Sequence, residues 1–372
     1  MNQNPFKFGD PVEGEFYLPR PELDKAIYHF LSNRIHTVLI GPRRFGKTSF
    51  VLNLLRRFEK EGYACPFVDI FNITSHRDFL QQVLRSLKTH KSWISSAKEW
   101  LSNWKPKIST DVDPISGQTS LGLSIDRTSD KDVKEMIQDV LSGLKNLGGK
   151  VILVIDEFQK ITELDDNGWL EATLRTHMQQ LRNTSFLFTG SRRGLISDML
   201  NNPSRPLYRS CQPVDFPSFG DEFIDWTIRR FNEVKISADK EAIRFLKKIV
   251  QETPNYVQMI CFHLVAAGYK SIGQSDVKNV LKKVVQQNAY AYQTILNSLS
   301  PIQQRTLRLA AKEEKQIFSK ELLERYEITS SPALASSIKA LKTKGLLDEE
   351  GTGRGIVIFD DPLFAIWLKI GI

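Results

Sequence analysis

Nine consecutive residues, Gly41-Pro42-Arg43-Arg44-Phe45-Gly46-Lys47-Thr48-Ser49, carry glycines, a lysine and hydroxyls at the spacing G-x-x-x-x-G-K-[ST]. That spacing suits the binding of phosphate. Backbone N–H groups of such a loop, and of the helix that follows it, point at phosphate oxygens where the helix dipole favours negative charge. Lys47 is placed to reach the β- and γ-phosphates of a nucleoside triphosphate, and the Thr48 hydroxyl to ligate Mg²⁺. A second constellation, Asp156-Glu157, closes the most apolar run of the chain. At the end of a buried strand, Asp156 can hold Mg²⁺ directly or through water, and Glu157 can orient and activate a water against a γ-phosphate. A third is the pair Thr189 and Ser191, hydroxyls that end the next apolar run. Either suits a γ-phosphate sensor or a holder of the attacking water; the plainer alternative is a turn with local hydroxyl hydrogen bonds.

These residues need a scaffold, and the patterning supplies one. Thr37-Val38-Leu39-Ile40 before the loop reads as a buried strand, and Ser49 to Phe58 after it has helical spacing. Further strands are predicted at Pro66–Phe71, Val151–Ile155, Ser185–Ser191 and Ser210–Phe216. Helices are predicted at Glu22–Asn33, Ser75–Lys88, Asp130–Leu147 (stopped by Gly148-Gly149) and Gly168–Arg182. Strands alternating with helices predict an α/β domain with a parallel five-stranded sheet, from 37 to 216, after a lead-in segment 1–36. An insert around 91–130 holds Trp93, Trp100 and Trp104 and then alternates about an Asp-Pro…Ser-Gly turn, which predicts a β-hairpin.

From Pro217 the chain reads as helical to 299, a candidate lid. Glu252-Thr253-Pro254-Asn255-Tyr256 either covers a nucleotide base or simply starts a helix, Tyr256 to Ala267. Ser300-Pro301 reads as a helix N-cap with proline at the first helical position. Three short helices and two strands around a glycine-rich turn follow, from 300 to 372, the pattern of a winged helix. Its recognition helix is Ser331–Lys344, with Lys339, Lys342 and Lys344 suited to DNA phosphates. The acids Glu313, Glu314, Asp348, Glu349, Glu350, Asp360 and Asp361 lie around it, so a protein contact is an equal alternative. Arg192, Arg193, Arg205 and Arg209 lie between the last two strands. One of them, Arg209 before Arg192, is a candidate to stabilise transition-state charge, in cis or from a neighbouring copy in a homo-oligomer. Ordinary surface ion pairs are the other reading.

Composition bounds these expectations. A hydrophobic content of 41% with 25% charged residues is that of a globular chain with a core of its own, and the length suggests two or three domains. No apolar run spans a membrane and the N-terminus lacks a signal-peptide pattern, so the expected location is cytoplasmic with no membrane partner. Cys65, Cys211 and Cys261 are scattered without C-x-x-C spacing, which predicts reduced, mostly buried thiols. The net charge of +8 is compatible with a polyanion but does not require one.

Several segments together resemble the archaeal-type ATPases of the signal-transduction P-loop NTPases, relatives of the AAA+ proteins. They are YLPRPEL, GPRRFGKTS, VILVIDEFQKI, FLFTGSRRG, SRPLYRS, ETPNYVQ and DPLFAIWL, in an order that spans nearly the whole chain. The resemblance implies the sheet order of additional-strand, catalytic-glutamate NTPases, a helical lid and a C-terminal winged helix. It also implies Pro254 as the lid proline near the nucleotide and Arg20 as the arginine of the pre-loop box. Pro19 stands where that box commonly has glycine, Glu22 follows Arg20 by one residue fewer than usual, and no glycine separates Tyr208 from Arg209. Three functions follow as expectations: a Mg-ATP-dependent ATPase switch with ATP and ADP as its nucleotides, slow to hydrolyse unless assembly supplies an arginine, whose winged module and insert contact a protein partner; a DNA-binding ATPase similar to replication-initiator or transposition-helper proteins; or a non-hydrolysing scaffold, disfavoured by the intact Lys47, Asp156 and Glu157.

Overall fold

Strand β1 (Thr37–Ile40) is buried at all four positions and lies between two later strands, β6 (Thr184–Gly190) and β7 (Gln212–Asp215), parallel to both. With β2 (Phe67–Asp69) and β5 (Val151–Asp156) they form a five-stranded sheet of order β2-β5-β6-β1-β7. All its pairings are parallel, and β6 is inserted between the loop strand β1 and the acid strand β5. That is the additional-strand order expected above. The computed structural model describes residues 3–87, 109–112, 119–122, 129–147, 149–164, 167–313, 316–348 and 357–370. The tryptophans Trp93, Trp100 and Trp104, and the tip of the wing, fall outside them.

The chain folds as two compact units. One comprises Arg20–Gly41 and Phe50–Phe216, the other Met1–Pro19, Pro42–Ser49 and Pro217–Ile372.

The first unit is built on the sheet. Val38, Ile40, Leu153, Ile155, Phe186 and Phe188 share a core with helices α3 (His76–Leu87), α4 (Asp130–Gly143), α5 (Trp169–Gln180) and α6 (Arg193–Asn201). In α3 the buried residues His76, Phe79, Leu80, Val83, Leu84 and Leu87 recur at helical spacing. The alternate strand residues Leu39, Ile152, Val154 and Leu187 are equally buried, and α1 (Pro21–Ser32) packs on β1 and β6. Both faces of the sheet are thus covered, as a parallel sheet requires. Proline at the start of α1, and the Ser129 hydroxyl accepting from the Asp132 amide at the head of α4, set those helix starts. The predicted hairpin forms: β3 (Ser109–Val112) and β4 (Thr119–Gly122) pair antiparallel. The second strand is shorter than the predicted Pro66–Phe71, because the Asp69 carboxylate accepts from the Phe71 amide and turns the chain out of the sheet. The last strand is likewise trimmed to Gln212–Asp215.

The second unit holds α7 (Glu222–Glu233), α8 (Lys240–Ile249), α9 (Pro254–Ala266), α10 (Gln274–Gln287) and α11 (Ala289–Asn297). The region is not helical throughout, as the periodicity suggested. Two-residue strands β8 (Ser237–Ala238) and β9 (Ser271–Ile272) pair in parallel and tie its helices together. Phe6 buries its ring against Trp226 and Phe231, and Arg230 donates two hydrogen bonds to the Pro5 carbonyl. Then come α12 (Pro301–Lys312), α13 (Lys320–Arg325) and α14 (Ser331–Thr343). The Ser300 and Gln303 capping box starts α12, and a buried Thr306–Ser337 hydrogen bond of 2.8 Å joins α12 to α14. Leu347 and Phe359 then pair antiparallel as the base of the wing, and α15 (Pro362–Ile370) closes the unit. No helix among the described residues is long and apolar enough to cross a membrane. Burial pushes the thiols of Cys65 and Cys211 up to about 12, so they stay protonated at neutral pH.

Candidate functional site

Strand β5 is buried at every position and ends on Asp156, which is 4% exposed. A buried carboxylate needs partners. Asp156 Oδ1 accepts from the Glu157 amide at 3.0 Å and from the Thr189 hydroxyl on the adjacent strand β6. Glu157 then takes left-handed backbone angles, φ 58 and ψ 41, and the chain enters a 3-10 turn, Phe158–Lys160. Phe158 anchors that turn by packing on Phe188 with ring centroids 4.0 Å apart. The Glu157 carboxylate receives hydrogen bonds on Oε2, from Gln159 Nε2 at 2.5 Å and from Ser191 Oγ at 3.2 Å. The two sensor candidates therefore divide the work: Thr189, fully buried, serves Asp156, and half-buried Ser191 serves Glu157. Asp69 lies opposite Asp156 in the parallel register. Burial raises its carboxyl above the ordinary range, the hydrogen bond from Phe71 opposes this, and the charges of Asp156 and Glu157 add to the rise.

Beyond Ile40 the Gly41 amide donates to the Gly190 carbonyl at 3.1 Å. A Cβ at Gly41 would lie 2.7 Å from Phe216 Cβ, so only glycine fits. The loop residues Pro42–Ser49 belong to the second unit. Arg44 at φ 63 and Gly46 at φ 93 curl the loop, and Lys47 opens helix α2 (Lys47–Lys60), which has no acid in its first turn. Lys47 is 5% exposed and its Nζ donates to the Pro42 carbonyl at 2.9 Å, so its ammonium lies along the inside of the curl. Ser49 Oγ accepts from the Val12 amide at 3.0 Å. Arg43 lies 3.9 Å from Asp360 Oδ2, just before α15, and the Arg44 guanidinium sits 4.9 Å over the Tyr256 ring of α9. Burial raises the Asp360 carboxyl, and the two arginines pull it back down.

The other expected residues take definite places. Arg20 is buried at the start of α1 with its guanidinium 4.2 Å over the Phe216 ring. Pro254 is the first residue of α9 and is buried. Arg192 faces Glu163 at 3.8 Å, Arg193 pairs with Asp215 at 2.7 Å, and Arg205 pairs with buried Glu171. Arg209 is exposed, at φ 50, with its guanidinium over the Tyr208 ring. Lys339 and Lys344 are exposed, and Lys342 is half-buried. Sequence reasoning missed Gln159 and the contacts of Arg43 and Arg44. The only trace of Gln159 was its place in the Asp-Glu-Phe-Gln segment.

The donor types fit a nucleotide with Mg²⁺. That cation takes hard oxygen ligands and is commonly held by one or two protein oxygens with water and phosphates. A buried carboxylate at a strand end and a hydroxyl in the first turn of α2 are such ligands. A buried ammonium whose partner is a loop carbonyl can exchange that oxygen for a phosphate oxygen. Comparison with known proteins bears on this chemistry. A family model for an ATPase domain found predominantly in Archaea matches residues 25–219, more than half of the chain. The chain belongs to that family. A winged helix domain model matches residues 290–370. Two uncharacterized ATP-binding proteins of Methanocaldococcus jannaschii are 26% identical over 153 residues and 24% identical over 137 residues. These matches cover 39% and 35% of this chain, and 40% and 36% of theirs. The chain thus spans well under half the length of the curated relatives it matches.

Among solved structures, a Walker-type ATPase of Pyrococcus abyssi has a TM-score of 0.63 at 21% identity, covering 95% of this chain and 97% of that one. The ORC2 protein of Aeropyrum pernix, solved as ADPNP–ADP complexes, gives 0.55 at 17% identity over 94% and 91%. ORC1 of the same organism, solved in complex with DNA, gives 0.51 at 14% identity over 95% and 93%. At these identities the likeness to solved structures is one of fold. The ATPase-domain model covers the strands of the sheet, and the separate winged helix model covers the C-terminal segment.

Proposed function

We propose that this family member binds and hydrolyses Mg-ATP and uses the cycle as a switch that engages a macromolecular partner. The observation that carries the reading is the acid edge: Asp156 ends strand β5 and Glu157 follows it, each held by its own hydroxyl from the inserted strand β6 and the turn after it. In this reading the backbone of Gly41 to Ser49 cradles the phosphates, Lys47 holds the β- and γ-phosphates, and Thr48 and Asp156 hold Mg²⁺. When bound, the cation neutralises charge on the phosphate oxygens. Glu157 accepts a hydrogen bond from the attacking water and orients it, and Ser191 keeps that carboxylate in place. Arg20 and Pro254 belong with the nucleotide in this reading, and Arg209, which is exposed, serves a neighbouring copy. The contacts of Arg43 with Asp360 and of Arg44 with Tyr256 support a switch, because two loop side chains are engaged by the helical and winged segments 217–299 and 300–372.

Two variants test the reading. Lys47→Ala removes ATP binding measured by calorimetry, and Glu157→Gln keeps ATP binding while phosphate release falls about 10²–10⁴-fold. Normal ATP affinity in the first, or undiminished release in the second, overturns the corresponding role. A second reading, a DNA-binding ATPase, is favoured by the fold shared with the DNA-bound ORC1 and by exposed Lys339 and Lys344. It requires duplex affinity that falls steeply with salt. No retardation of duplex DNA at low salt, with or without ATP, removes it.

A further inference from the structure

Gln159 is 1% exposed, among the most deeply buried polar side chains of the chain. An amide so placed is costly unless its donors and its acceptor are used. Its carbonyl accepts from the Ser191 amide at 3.3 Å, and its Nε2 donates to Glu157 Oε2 at 2.5 Å and to Ser191 Oγ at 3.4 Å. Because the carbonyl end is claimed by a backbone N–H, the amide has one sensible orientation, with its nitrogen toward the carboxylate. Ser191 Oγ completes the triangle by donating to the same Oε2. The backbone makes room for this arrangement: a Cβ at position 190 would lie 2.4 Å from Gln159 Oε1.

We propose that Gln159 is a positioning residue that fixes the Glu157 carboxylate and couples it to the Ser191 turn after β6. The inference rests on the hydrolysis reading above for its consequence, but not for its geometry. Both hydrogen bonds fall on Oε2, which leaves Oε1 as the oxygen that receives the water. Glu157 sits on left-handed backbone in a turn, and a glutamate there has three side-chain torsions of its own. The amide two residues on removes that freedom. Leucine at 159 would keep the volume and lose both the donor and the acceptor. Glutamate would set a second carboxylate against the first.

Kinetics with ATP affinity, and the side-chain amide resonance of Gln159, decide the matter across a small set of variants. Gln159→Leu lowers kcat for Mg-ATP hydrolysis about 10–100-fold, the scale of a misplaced reacting group. ATP affinity by calorimetry stays within about twofold, since the interaction acts on the water rather than on the bound nucleotide. Ser191→Ala gives the same split in smaller measure. The second readout needs no turnover: the side-chain amide resonance of Gln159, assigned by its loss in Gln159→Leu, exchanges slowly with solvent and shifts in Glu157→Gln. Equal losses of ATP affinity and kcat in Gln159→Leu, or unchanged kcat, overturn the proposal, as does an amide resonance indifferent to Glu157→Gln. If Gln159→Leu does not fold, the resonance is assigned from the Gln159→Asn variant, and the Ser191→Ala kinetics and the Glu157→Gln spectrum carry the decision. If Glu157→Gln turns over normally while the resonance still shifts, the hydrolysis reading fails and the hydrogen-bond assignment stands.

Discussion

The two stretches proposed to carry the phosphate chemistry are held in different ways. The acid edge, Asp156 to Gln159, is fixed by the sheet that bears it: the fully buried strands β5 and β6, the Phe158 ring packed on Phe188 at the turn, and hydrogen bonds from the adjacent strand and from the turn itself. The loop, Pro42 to Ser49, is held through side chains that reach residues remote in sequence, Val12, Tyr256 and Asp360, by one hydrogen bond, one ring contact and one long ion pair. Interactions of the first kind are cooperative with the core and do not rearrange without breaking it. Those of the second kind are individually weak and exchangeable. One stretch is thus set by core packing, and the other by side-chain contacts that can be exchanged one at a time.

The largest effect is expected at Phe158. Phe158→Ala empties a position 1% exposed and should cost about 3–5 kcal/mol in denaturant unfolding. A loss below about 1 kcal/mol, the scale of a surface change, would mean the turn is not anchored by the core. The loop contact should behave otherwise. A double-mutant cycle of Arg43→Ala with Asp360→Asn should give a coupling in stability below about 1 kcal/mol, for side chains 31% and 26% exposed. It should vanish in about 1 M salt. A large, salt-resistant coupling would make the loop as fixed as the sheet.

The smallest effect sharpens the acid edge itself. Asp69 has its carboxyl raised in the fold, so the folded state prefers it protonated. Above that raised value the ionised group disfavours folding, and below the unfolded value of about 4 the effect is gone. Asp69→Asn should therefore melt slightly higher than the parent at neutral pH, with the difference closing as pH falls. An unchanged difference across that window would show that the fold does not raise the Asp69 carboxyl.

Much of this was legible in the residues. Thr37–Ile40 was read to its ends because four apolar or β-branched residues stop at a glycine that must approach another backbone. The wing, its capped helix at Ser300 and the sheet order followed from pattern and resemblance. Strand Pro66–Phe71 was overextended because periodicity does not reveal that Asp69 turns its carboxylate onto the Phe71 amide. Helix Pro362–Ile370 was not placed, since its residues are apolar on nearly every side and leave no stripe to count. The pairing of Thr189 with Asp156 and Ser191 with Glu157 needed the register between strands. Gln159 needed more still, because a glutamine two residues past an acid is an ordinary surface residue until the turn is seen to point it inward.

The left-handed backbone at Glu157 has a consequence for how such chains diverge. Local conformational energy at that position favours glycine or asparagine over glutamate by roughly 1–2 kcal/mol. If Glu157 serves the proposed hydrolysis, turnover is what would keep an acid there against that drift. A descendant that retained nucleotide binding but no longer needed hydrolysis would feel no such restraint. It would be expected to relax position 157 first, and position 159 with it, while Lys47 and Asp156 persisted. Loss of the acid at 157 beside an intact loop is thus the mark by which binding-only descendants of this fold would be known.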